Sequence, residues 1–328
     1  MRGLSLLALV CIVVLATIWA LTIGTTPMPA AKVVDALVRY DGSREHIVVI
    51  FARLPRVLAG LLVGASLAVA GAIMQAATNN PLASPDLLGI NSGAAFAVVM
   101  AIVLLDAQSS GVLVWYAFAG AALAAVAVYA VSSVGPGGAT PLKLALAGAV
   151  LTSFLAALTT SVLIFDKGTL DQIRLWSAGS LAGRTLSSST AMAPYILCGL
   201  TAALLFRRQI MTLSLGADIA RSVGQNTGLW RALAAVMVVL LAGSAVALAG
   251  PIGFVGLVVP HVARMIVGVD YRWVIPFSAL GGALLLVSAD AVARFALSDQ
   301  ALPVGVTMAV IGAPFFIYLA RYRTGGMR

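Results

Sequence analysis

Residues 57–105 read VLAGLLVGASLAVAGAIMQAATNNPLASPDLLGINSGAAFAVVMAIVLL. No charged residue occurs from Val57 to Pro85, and none from Leu87 to Leu105; Asp86 alone separates the two runs. About 20 apolar residues in a helix span a bilayer core, so the stretch reads as two membrane helices around one polar turn. Pro81 and Pro85 remove backbone donors and stop a helix. Asn79, Asn80, Ser84 and Asp86 are turn formers whose side chains bond nearby backbone. Two readings of Asn80–Gly89 are open: a short interhelical loop, or an ordered element built to touch something.

The rest of the chain extends this pattern. Of 328 residues, 61% are hydrophobic and 9% charged, against about 25% charged in soluble domains. Such a chain cannot cover a water-facing surface. Long apolar runs, rather than short alternating segments, exclude an outer-membrane barrel. The expected fold class is therefore all-α, one polytopic domain over residues 1–328. Roughly ten spans are expected near 4–24, 57–77, 89–105, 112–133, 144–165, 189–206, 230–249, 252–268, 274–292 and 304–320. The third is short and glycine-containing, with a re-entrant path as an alternative. The uncharged run after Met1-Arg2 is span-length, longer than the apolar core of a signal peptide, and is taken as the first helix. The net charge of +9 lies in short clusters between runs, which suits anionic lipid and topology better than nucleic acid.

An even span count puts both termini on one side, and a bare majority of Lys and Arg falls there if that side is cytoplasmic. The opposite side keeps Arg53, Arg56 and Arg294. Gly60 and Gly64 form a small-xxx-small face suited to close helix packing. The stretch 64–71, GASLAVAG, echoes 243–250, GSAVALAG. That would suit an inverted repeat of spans 2–5 against spans 7–10.

Enzyme motifs are missing: no G-x-x-x-x-G-K-[ST], H-E-x-x-H or G-x-S-x-G occurs. One Glu and two His are too few for an intramembrane metal site, so any metal cargo must arrive inside a chelator. Asp290 is the one good intramembrane carboxylate; Arg294, four residues on, shares its helix face and can pair with it. Leu213–Gly224 predicts a short amphipathic helix in which Asp218 suits the first turn and Gly224 the stop. A helix at the lipid boundary and a docking knob for a soluble partner are the two readings. Pro260 should kink its helix, and the neighbouring His261 reads as a packing residue.

These segments together resemble the permease subunits of bacterial ATP-driven importers for ferric siderophores, heme and vitamin B12. The resemblance spans almost the whole chain. It rests on Arg53-Leu54-Pro55-Arg56; on Gln75 with Asn80-Pro81-Leu82-Ala83, Pro85 and Leu88-Gly89; and on Ser214-Leu215-Gly216 with Ala220-Arg221 and Gly224. It continues through Gly253–His261, Asp290 with Arg294, Pro303–Val306 and Ile311–Pro314. It implies a ten-span subunit, in the inner membrane with both termini cytoplasmic, that dimerises around a central pathway. Two ATP-binding subunits attach below, and a periplasmic or lipid-anchored binding protein docks above. The second permease is expected to be a paralogue slightly before an identical copy. No cofactor and no nucleic acid is implied; a ferric siderophore is the cargo, with heme or cobalamin as the alternative. By resemblance, Arg53, Arg56 and Arg294 face the binding protein. Leu215, Gly216, Asp218, Ala220, Arg221 and Gly224 form the coupling segment that sits in a groove of the ATPase. Thr140-Pro141-Leu142 corresponds to the inner gate, and Asn80 and Pro81 are expected beside the coupling helix or the inner end of the pathway. Ala301 stands where many members have a glutamate. Asp171–Trp176, Val269–Trp273 and the Gly325-Gly326 tail look nearest to enterobactin-type permeases. A self-contained secondary carrier driven through Asp290 is the competing expectation.

Overall fold

The computed structural model describes residues 2–24, 27–107, 109–135, 138–165, 168, 173–174, 176–296 and 302–323. Asp171, Gln172, Leu175, Ala301 and the Gly325-Gly326 tail lie outside the described residues. No strand occurs among those described.

The helices are α1 (Arg2–Thr22), α2 (Ala30–Val38), α3 (Arg44–Val48), α4 (Leu54–Thr78), α5 (Ile90–Leu105), α6 (Ser110–Ser133), α7 (Pro141–Phe165), α8 (Leu186–Leu205), α9 (Arg207–Ser214), α10 (Ala217–Ser222), α11 (Thr227–Val238), α12 (Ser244–Ala249), α13 (Val255–Val267), α14 (Tyr271–Ala296) and α15 (Val304–Arg323). A π turn at Val49–Arg53 fuses α3 to α4, and another at Val239–Gly243 fuses α11 to α12. Among the described residues seven helical runs are long and apolar enough to cross a membrane, and three shorter apolar helices join them: α5, α13 and the Val304–Phe315 part of α15. These match the ten expected segments. The eighth is shorter than expected. At 1.5 Å per residue, the 13 residues of α13 reach about 20 Å, less than a bilayer core of about 30 Å.

Three short helices, α2, α3 and α9, are not spans because each is under ten residues; α2 and α9 are amphipathic. Val33 and Ala36 of α2 are buried in a small core with Leu21, Val49, Val57, Val287 and Ala291. Ser43 caps α3 by accepting from the His46 N–H, as an N-cap serine does.

Helix α4 is the centre of the molecule. Of its best apolar window, 78% is buried inside the chain, against 6% for α7 and 11% for α1. Its glycines explain this. A β-carbon on Gly64 would run into the Gly282 carbonyl of α14, and one on Gly71 into the Gly256 carbonyl of α13. Backbone therefore meets backbone, the gain that small residues provide where lipid is as apolar as leucine. The two echoing stretches occupy different positions: Gly71 lies inside α4, whereas Gly250 ends α12 with φ 74°.

Candidate functional sites at the two ends

One end of the molecule carries the three arginines. Arg53 and Arg56 stand on continuous helical backbone, because the π turn leads straight into α4. Arg53 is 5% exposed, and its Nη1 donates to the carbonyls of Leu21 (2.8 Å) and Thr22 (2.9 Å). Arg294 donates to the carbonyls of Ile23 and Ala20. Those carbonyls close α1, whose last turn lacks helical donors and bears partial negative charge; the Met28 N–H also donates to Thr22 O. Arg56 grips Asp290 with two nitrogens, Nε at 2.9 Å and Nη2 at 2.8 Å. Arg294 Nε reaches the same carboxylate at 3.1 Å. The expected Asp290–Arg294 pair is thus present, and Arg56 joins it from α4. All three arginines gather at one end, and their hydrogen bonds run inward to α1 and Asp290. Side chains of Arg56 and Arg294 keep 16% and 12% exposure.

The opposite end carries the turn and the short amphipathic helix. Arg2 lies beside Gly268 there. Asn79 ends α4 in the left-handed region, φ 51°, and its Nδ2 donates to Leu213 O at 2.9 Å. The Leu82 N–H donates to Asn80 Oδ1 at 2.9 Å, an Asx turn. Pro85–Leu88 is one 3-10 turn, and Asn91 donates to Asp86 behind it. A β-carbon on Gly148 of α7 would strike the Leu87 carbonyl, so the turn lies directly against α7. Asn80 and Pro81 are exposed. Pro81 lines a cavity of about 300 Å³ with Gln75, Asn79, Ser214, Leu215 and Arg264. The turn is an ordered element beside the segment that leads into α10.

Helix α10 begins after Gly216 (φ 104°) and stops at Gly224 (φ 81°). The Gln225 N–H donates to Ala220 O and the Gly224 N–H to Arg221 O, the two bonds of a Schellman cap. Asp218 and Arg221 pair at 2.8 Å on the surface. Ala220 is buried, while Leu215, Ile219 and Val223 are 53%, 50% and 67% exposed. Here the apolar side chains face out. Thr140, Pro141 and Leu142 open α7 elsewhere on this end. The Lys143 N–H donates to Thr140 Oγ1, Arg231 of α11 donates to Ala139 O, and Leu142 is exposed. The elements that carry the two groups meet where Gly148 of α7 lies against the Leu87 carbonyl.

Between the ends lies a feature the sequence reading missed. The chain is not helical from Gly250 to Phe254. Phe254 has φ 68°, uncommon for a bulky residue. Its ring lies where a β-carbon on Gly312 of α15 would be. Broken helix at membrane depth needs partners for its backbone. Ser180 N–H donates to Ala249 O at 2.8 Å, and Gly305 N–H to Gly179 O at 3.0 Å. Gly179 also lies against Pro251 O, and Gly250 against Trp176 O. Glycines at 179, 250 and 305 thus join three distant segments by backbone contact. Gly250 and Gly305 stood out in sequence; nothing marked Gly179. His261 is buried and packs edge-on against Phe315, centroids 6.2 Å apart. Among the described residues no group of three or more His, Cys, Asp or Glu could hold a metal.

Residues 12–322 match the FecCD transport family. YfiZ of Bacillus subtilis, assigned as a siderophore transport system permease, is 46% identical over 98% of this chain and 96% of its own. FepD of Escherichia coli, a ferric enterobactin transport system permease, is 40% identical over 99% and 97%. A transporter assigned to the metal-chelate ABC type, solved facing inward, superposes with TM-score 0.85 at 28% identity over 97% of this chain and 99% of its own. The chain belongs to the FecCD transport family, a membrane permease of the iron-siderophore ABC importer kind.

Proposed function

We propose that this chain is the permease subunit of an ATP-driven importer that moves a ferric siderophore across the bacterial inner membrane. A binding protein delivers the cargo, a second permease completes the pathway, and two separate subunits hydrolyse ATP. The observation that carries this is the family match over residues 12–322, reinforced by relatives named for siderophore transport. Helix α10 with its flanking residues is the ATPase contact: exposed Leu215, Ile219 and Val223 offer apolar side chains to a groove, and Ala220 seats α10 on the body of the chain. The end bearing α10 is then cytoplasmic, and the arginine end faces the binding protein. Three arginines against one Asp290 make this cluster a local positive patch, at an end that also bears Asp35, Asp41 and Glu45. This charge steers a carboxylate-bearing partner and fixes its register, with Arg56 and Arg294 the more accessible and Arg53 acting through its hold on α1.

The competing secondary carrier needs Asp290 to exchange a proton or cation. Two guanidinium groups grip that carboxylate, which argues against it. In proteoliposomes, ferric siderophore uptake should require the ATPase subunits and ATP. Uptake without them would refute the importer reading. A ligand screen on the co-purified binding protein distinguishes siderophore from heme or cobalamin.

A further inference from the structure

Pro260 lies inside α13 and has no N–H. The carbonyl four residues earlier, Gly256 O, therefore lacks its helical donor. Gln75 of α4 provides one: its Nε2 donates to Gly256 O at 3.2 Å. Gln75 Oε1 accepts from Arg264 Nη2, one turn beyond the proline. The amide can be placed only this way, since a flip would set donor against guanidinium and oxygen against carbonyl. Gln75 is 4% exposed. Gly71, one turn before it, lets the two backbones touch at Gly256.

The same helix reaches the coupling segment. Asn79, one turn after Gln75, donates to Leu213 O. Gln75 and Arg264 line one cavity with Ser214 and Leu215. At its other end α13 begins at the Gly250–Phe254 break, where Gly179 lies against Pro251 O and Gly250 against Trp176 O. A buried amide thus stands between the segment that would meet the ATPase and the broken helix inside the membrane.

We propose that Gln75 is a positioning residue that couples displacement of the Leu213–Gly224 segment to α13, so that the Gly250–Phe254 break moves with it. The proposal rests on the importer reading. Without Gln75, α4 could shift with the coupling segment while α13 stayed behind, and ATP would be hydrolysed with less cargo moved.

The test uses the importer co-purified with its partner subunits on a tag on this chain, in proteoliposomes. The probes are ferric enterobactin, ferric citrate and cobalamin in turn, presented by the binding protein. Gln75→Glu keeps an acceptor for Arg264 and loses the donor for Gly256; Gln75→Met loses both. Each should raise the ATP hydrolysed per cargo imported by roughly tenfold, within the usual range of coupling between sites. Pro260→Ala, added to Gln75→Met, returns a helical donor to Gly256. It should restore the melting temperature and leave the raised ratio in place. A ratio that returns with the melting temperature, or that never rises, overturns the role of Gln75. Failure of the unaltered complex to import any probe with ATP overturns the importer reading, and this one with it.

Discussion

At the residue scale, one carboxylate organises an end of the protein. Asp290 is 2% exposed and bonds two arginines, of which Arg294 also closes α1. Breaking one partner of a buried pair costs about 3–5 kcal/mol because the other charge is stranded. Asp290→Asn should fall toward the lower figure, since the α1 carbonyls still hold Arg294. The melting temperature of the purified protein in detergent should drop, with α1 loosened. A variant as stable as the parent that has lost transport would instead support proton or cation exchange at Asp290. Half of this cluster was legible: Asp290 and Arg294 stand four apart on one helix. Arg56 was not, because a pairing 234 residues distant leaves no local spacing. Glycines behave likewise. A β-carbon at Gly71 would invade α13, whereas at Gly253 it would meet nothing within 4 Å. Gly71→Val should overpack the α4–α13 crossing by about 1–3 kcal/mol or more, and Gly253→Ala should leave the melting temperature unchanged. Equal melting temperatures would mean that the crossing gives way without cost.

At the scale of elements, α10 and α13 were read with unequal success. Both ends of α10 were marked by glycines whose positive φ angles end a helix by themselves, so its bounds followed from local chemistry. The break before α13 is backed by Ser180, which donates to Ala249 O at the end of α12, and by Gly179, which lies against Pro251 O; both belong to another segment, so no local signal announced it. Gly250-Pro251 looked like a simple junction for that reason. What α10 buries internally is slight, and this separates its stability role from its docking role. Ile219→Asp with Val223→Asp alters two exposed side chains and should shift stability by about 0.5 kcal/mol or less, as surface changes do. Co-purification of the ATPase subunits on a tag on this chain should nevertheless collapse. Intact co-purification would move the ATPase contact away from α10.

Across the whole molecule, burial is distributed unevenly, and the two least buried long helices differ in kind. Both α1 and α7 were legible as spans, since hydropathy alone reveals them. What each one faces was not, because that depends on chains outside this sequence. The exposed side chains of α1 include Leu4, Leu7, Val14 and Leu15, as lipid contact requires, with Ser5 exposed in its first turn. Helix α7 also exposes Leu146, Val150 and Phe154, but near its far end it exposes Thr160 and Ser161 as well. Those hydroxyls donate back to Ala156 and Ala157 carbonyls of their own helix, which keeps them satisfied yet leaves oxygen on the surface. Polar atoms at membrane depth belong against protein or a water-filled path rather than lipid. Helix α7 should therefore face the second permease across the central pathway, while α1 faces lipid. The native Cys11 and Cys198 are exposed and would first be replaced by alanine. In the assembled importer, single cysteines at Thr160 or Ser161 should then react with a charged, membrane-impermeant thiol reagent, and cysteines at Leu7 or Leu15 should not. A cysteine at Phe154 should cross-link this chain to a permease subunit, and the mass of the product tells an identical copy from a paralogue. Equal labelling of both helices, or none on α7 with full labelling on α1, would place the pathway on another face of the bundle.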